Sequence, residues 1–62
     1  MPLVNIQILE GRSPDKIEAL MKSVTDSVSK SLNAPKKNIR VIVTEVPKTH
    51  WSIGGVSASK VR

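Results

Sequence analysis

Two segments of strand character flank one long helical stripe, and the length of that stripe dictates how the strands can lie. Residues 3–9, LVNIQIL, alternate, with Val4, Ile6 and Ile8 on one face and Leu3, Asn5, Gln7 and Leu9 on the other. Glu10-Gly11 breaks the alternation. Ser13 then offers an N-cap, with Pro14 at the first helical position and Asp15 in the first turn. Ile17, Leu20, Met21, Val24, Val28 and Leu32 follow at helical spacing, a stripe read as core, and Asn33-Ala34-Pro35 ends it. Residues 39–46, IRVIVTEV, are rich in β-branched side chains and read as a second strand, broken by Pro47-Lys48-Thr49. A helical crossover of about five turns cannot close a hairpin, so it makes the two strands parallel and the unit right-handed. Ser52-Ile53-Gly54-Gly55 reads as a hairpin turn, flanked by His50-Trp51 and Val56-Ser57. The expected fold class is α+β: a β-α-β unit with parallel strands and a short C-terminal hairpin, in a single domain over residues 1–62.

Sixty-two residues bury only about 60% of their unfolded surface, and chains this short rely on a staple or a partner. With no cysteine there is no disulfide framework or thiolate metal site, and a lone histidine, His50, argues against a zinc cluster. The expectation is no metal, no cofactor, and oligomerisation as the staple. No segment has the pattern of a signal peptide or of a membrane span, so a cytoplasmic protein is expected. The net charge of +5 favours acidic partners, including small carboxylates. Trp51 is the only aromatic ring, too little stacking surface for single-stranded nucleic acid. Lys16, Lys22 and Lys30 along the helix, Lys36-Lys37 in a loop and Lys60 near the end read as mostly solvated.

Three residues stand out chemically. Pro2 follows Met1, and a methionine before proline is usually removed, which would leave a secondary amine at the terminus. An α-amino group titrates near pH ~8, closer to neutrality than any lysine. Arg12 ends an EGR turn and Arg40 opens the second strand. In a parallel pair Pro2 and Arg40 start at the same edge, whereas Arg12 lies past the far end of a seven-residue strand, roughly 23 Å away. A site holding all three would therefore form between subunits, with a neighbour running antiparallel.

The chain closely resembles the 4-oxalocrotonate tautomerase family, small members of the tautomerase superfamily. The resemblance runs end to end, through Pro2 after Met1, ILEGRSPD at 8–15, the amphipathic helix, LNAPKKNIRVIVTEVPK at 32–48, and HWSIGG at 50–55 followed by ASKVR. It implies β-α-β units that pair into a four-stranded sheet backed by two helices, three such dimers making a homohexamer. It implies a cofactor-independent isomerase that converts 2-hydroxymuconate-type dienols to conjugated 2-oxo acids. The base would be the Pro2 amine. Arg12 would hold the distal carboxylate and Arg40 the reacting end, each from another subunit. Leu9, through its backbone amide, and Trp51, as an apolar wall, would complete the substrate site. The family position of Trp51 often holds phenylalanine, so substrate fit would differ.

Other readings remain at this point. Dehalogenation by hydration wants a carboxylate beside the proline, and residues 50–56 carry none. Phenylpyruvate-type enol–keto tautomerisation needs the same base and only one carboxylate. A small basic nucleic-acid-binding module and a non-catalytic structural oligomer are rivals of another class. Arg12 and Arg40 could be solvated surface residues, Trp51 core or interface, and His50 structural.

Overall fold

The computed structural model describes residues 1–61; Arg62, the last residue of the ASKVR ending, lies outside the described residues. Strand β1 spans Leu3–Leu9, helix α1 Pro14–Leu32, strand β2 Arg40–Val46, and the short strands β3 and β4 Ser52–Ile53 and Val56–Ser57. Helix α2 closes the described chain at Ala58–Val61, and single 3-10 turns cover Lys36–Asn38 and Lys48–His50. β1 and β2 pair in parallel, from Leu3 opposite Arg40 to Leu9 opposite Val46, as the crossover length requires. β3 and β4 form a separate antiparallel pair.

Local chemistry sets the boundaries. The Ser13 side chain accepts from the Lys16 backbone amide, and Pro14 opens α1, where its missing N–H costs nothing. Asn33 stops the helix in the left-handed conformation (φ 54°), and the Ser29 hydroxyl donates to the Ala34 carbonyl at 2.6 Å. β2 begins at Arg40 rather than Ile39, because the Ile39 amide donates to the Lys36 carbonyl and closes the 3-10 turn. The C-terminal turn is tighter than expected. Ser52 and Ile53 belong to β3, and only Gly54 and Gly55 turn the chain, with φ of 61° and 88°. Positive φ at both central residues is the type I′ condition that favours glycine. Helix α2 and both 3-10 turns are too short to leave a periodic signal.

The alternation of β1 and β2 sorts the sheet into two faces. Val4, Ile6, Ile8, Val41 and Val43 are half-buried, as are Ile17, Leu20, Met21, Val24 and Val28 of α1. On the other face Leu3, Asn5, Gln7, Arg40, Ile42 and Thr44 are exposed. The stripe of α1 was expected to be core, yet no residue of the helix is fully buried and Leu32 is 63% exposed. The reason is dimensional. Nineteen helical residues run about 28 Å, seven strand residues about 23 Å, so the last turn overshoots a sheet only two strands wide.

Among the described residues only Ile39 and Ala58 are buried hydrophobics. The accessible surface of 4888 Å² exceeds the ~3,950 Å² expected for a compact monomer of this mass. The radius of gyration of 14.5 Å likewise exceeds the ~10.6 Å of a compact domain this long. The protomer is a thin slab of 42 × 24 × 13 Å.

Replacing Gly55 by valine should lower the thermal midpoint, since a β-branched residue at φ 88° costs about 1–2 kcal/mol or more. An unchanged midpoint would show that the hairpin turn tolerates another geometry.

Candidate active site

Pro2 and Arg40 meet through the backbone. The Arg40 amide donates to the Pro2 carbonyl at 3.0 Å, and Leu3 stands opposite Arg40 in the ladder. Pro2 is half-buried and Met1 is 84% exposed. The Arg40 guanidinium donates through Nη1 to the Lys37 carbonyl at 2.9 Å. Its contact with the Ile39 carbonyl, at 3.5 Å, is too long to hold it strongly. Among the described residues no carboxylate pairs with Arg40.

The turn that holds Arg40 is itself tied to α1. Lys36 Nζ lies 2.7 Å from the Asp26 carboxylate, and Lys22 approaches the other oxygen at 3.3 Å. Lys22 and Lys36 are exposed, as expected of the solvated lysines, and both pair with Asp26 as well. Hydrogen bonds from Lys36, then from Lys22, hold the Asp26 carboxyl below its ordinary titration range. A depressed folded-state pKa stabilises the fold above the unfolded value near pH ~3.9, and that contribution is lost as pH falls through the folded value. Asp26→Asn should therefore be less stable than wild type at pH 6, the gap closing below about pH 4. Urea unfolding at the two pH values checks this; a gap independent of pH would mean that the Asp26 charge is immaterial.

Arg12, Leu9 and Trp51 lie toward the other end of the sheet. Arg12 Nη1 donates to the Leu9 carbonyl at 3.2 Å, which fixes Arg12 beyond the end of β1. Leu9 pairs with Val46 at the last ladder position. Trp51 is half-buried, and its carbonyl accepts from the Ala58 amide at 2.7 Å. The Ser57 hydroxyl donates to the Lys48 carbonyl at 2.9 Å; having used its proton there, it accepts from Ser59 Oγ at 2.7 Å. These bonds fold the C-terminal hairpin back on the 3-10 turn at Lys48–His50. They leave a groove of about 380 Å³ lined by Leu9, Lys48, Ile53, Ala58 and Val61. Lys48 and Ile53 carried no sequence signal as lining residues, because only the fold-back brings them to Leu9.

The candidate residues thus fall in two groups, Pro2 and Arg40 at one end and Leu9 and Arg12 at the other, about 23 Å apart along β1. Among the described residues no three His, Cys, Asp or Glu side chains converge as a metal ligand set. Among the described residues no helix is long and apolar enough to cross a membrane.

The profile of a family described as "Tautomerase enzyme" matches residues 2–60. A probable tautomerase of Listeria innocua is 56% identical over 61 residues, covering 98% of this chain and 100% of that protein. A 2-hydroxymuconate tautomerase of Pseudomonas putida is 52% identical over 62 residues, covering 100% and 98%. Among solved structures, a heterohexamer 4-oxalocrotonate tautomerase of Chloroflexus aurantiacus superposes with a TM-score of 0.94 at 35% identity, each chain covered completely. With its β-α-β unit, its full-length similarity and its matching fold, the chain belongs to the tautomerase family of enzymes.

Proposed function

We propose that the chain converts 2-hydroxymuconate-type dienols to conjugated 2-oxo acids, with the amine of a processed Pro2 as general base. The observation that carries this reading is the Arg40 amide bond to the Pro2 carbonyl. It brings the backbone of Arg40, whose guanidinium has no carboxylate partner among the described residues, to the one residue that can become a terminal secondary amine. The similarity to a 2-hydroxymuconate tautomerase supports the substrate class.

The chemistry needs a base poised near neutrality. A cation about 6 Å from the amine, at an effective dielectric of about 20, disfavours the ammonium form by roughly 2.8 kcal/mol. A neighbouring cation of this kind lowers the amine's pKa toward neutrality. The unprotonated Pro2 nitrogen removes the proton of the 2-hydroxyl. The electron pair moves through the conjugated chain toward the distal carboxylate, and the prolinium returns a proton to carbon. The product keeps one carbon–carbon double bond conjugated with its new 2-oxo group. Arg40 stabilises oxygen charge at the reacting end. Arg12 grips the distal carboxylate with its planar fork. Leu9 and Trp51 border the substrate there.

Because the two groups lie at opposite ends of β1, Arg12 reaches Pro2 only from a neighbouring subunit. The excess surface and the exposed Leu3, Ile42, Ile53 and Val56 give that neighbour apolar area to cover. The assembly we favour is a homohexamer built as a trimer of dimers, each dimer a four-stranded sheet with two helices. A C. aurantiacus relative is a heterohexamer.

Conversion of 2-hydroxymuconate, followed by ultraviolet absorbance with intact mass confirming loss of Met1, should be rapid. It should fall about 10²–10⁴-fold in Pro2→Ala. Retained activity in that variant would exclude Pro2 as the base. Pro2→Ala and Arg12→Ala subunits, each inactive alone, should regain activity when unfolded and refolded together. At equal mixing about a quarter of sites would combine two intact residues from different chains. No recovery, despite mixed oligomers seen by native mass spectrometry, would place Pro2 and Arg12 of a site on one chain.

A further inference from the structure

The acidic side chains are unevenly distributed between the two ends of the fold, while cations occur at both, with Arg12, Lys16 and Lys48 at the acidic end. Four of the five acidic side chains, Glu10, Asp15, Glu18 and Glu45, belong to the end where β1 and β2 finish and α1 starts. The end where the strands begin carries Lys30, Lys36, Lys37 and Arg40, and its nearest carboxylate, Asp26, is held by Lys36 and Lys22. The C-terminus of α1 adds negative partial charge there, offset by Lys30 in its last turn. Lys37 is left exposed, with no carboxylate within salt-bridge distance among the described residues. It also sits in the turn whose carbonyl accepts from the Arg40 guanidinium at 2.9 Å. Lys30, Lys37 and Arg40 are thus the cations of this end without a carboxylate among the described residues, and Lys37 is the one whose backbone anchors the Arg40 guanidinium, at the strand end that follows Pro2.

We infer that Lys37 attracts and pre-orients dianionic substrate at the mouth of the Pro2 site, a role that rests on the catalytic reading above. Its ammonium is a solvated point charge on a flexible stem, suited to long-range attraction rather than to planar recognition. Attraction of this kind raises the local concentration of the anion, acts on encounter more than on the chemical step, and weakens with salt. It scales with ligand charge, so a dicarboxylate gains more than a monocarboxylate.

The test compares wild type, Lys37→Gln and Lys37→Glu at ionic strengths of about 10 and 300 mM, spanning Debye lengths from roughly 30 Å to below 8 Å. The substrates are 2-hydroxymuconate and the monoanionic enol of phenylpyruvate. For the dianion at low salt, kcat/KM should fall about 3-fold in Lys37→Gln and about 10-fold in Lys37→Glu, with kcat unchanged. The variants should converge on wild type at high salt and lose less with the monoanion. Overlapping salt profiles in an active wild type would overturn the proposal alone and leave the tautomerase reading standing. A loss that persists at high salt, or that falls on kcat, would also overturn it and assign Lys37 to a fixed contact, such as a carboxylate of a neighbouring subunit. No turnover of either substrate by wild type lacking Met1 would overturn the catalytic reading and the attraction of substrate with it.

Discussion

The parallel pairing of β1 with β2 is the constraint on which the rest of the structure depends. Its register sets Leu3 opposite Arg40 and Leu9 opposite Val46, and so places the flanking residues at opposite ends. Pro2 and Arg40 are joined through one amide–carbonyl bond because both sit at strand starts. Arg12 folds back on the Leu9 carbonyl because Gly11, at φ 124°, turns the chain where the ladder ends. A slip of one residue would reverse which face of β2 meets the helix and would separate Arg40 from Pro2.

The same economy of structure leaves the protomer incomplete as a folding unit. Two strands and one helix form a single pair of layers, and each layer has an outer face toward solvent. The half-buried valines and isoleucines contact one another, yet almost none is enclosed. Exposed Leu3 and Ile42 on the open sheet face, and Ile53, Val56 and Val61 near the C-terminal groove, are a large apolar outlay for so small a chain. Association with further copies covers surface on this scale, and the proposed site, whose residues lie at two ends of one chain, needs the same association. Stability and catalysis would then draw on the same contacts.

Charge follows the same axis as the register. Carboxylates gather at the end that carries Arg12, where they are mixed with Arg12, Lys16 and Lys48, whereas the end that starts with Pro2 has Asp26 as its one nearby carboxylate among the described residues. The Asp26–Lys36 pair is the exception with a structural task, since it ties the turn before β2 to the side of α1. That link is exposed and contributes little by itself. Its effect lies in position, because the same turn offers the Lys37 carbonyl to Arg40.

Much of this was legible in the residues themselves. The alternation of 3–9, the Ser13-Pro14 start and the Asn33 stop are local signals, and each acts through bonds within a few residues of itself. The crossover length then implied parallel strands, and strand length implied the distance between Arg12 and Pro2. Other features had no local signature. The sequence could not place Lys48 and Ile53 beside Leu9, because the Ser57 and Ala58 bonds that fold the hairpin back join residues seven to nine apart. It could not pair Lys36 with Asp26 across the α1–β2 connection, nor show that the apolar stripe of α1 overshoots the sheet. Pattern and capping alone determined the elements, their order and the chemical types available at each end. The tertiary structure decided which side chains stay uncovered and which cations stay unpaired, because exposure and pairing depend on distances between elements that no stretch of sequence encodes.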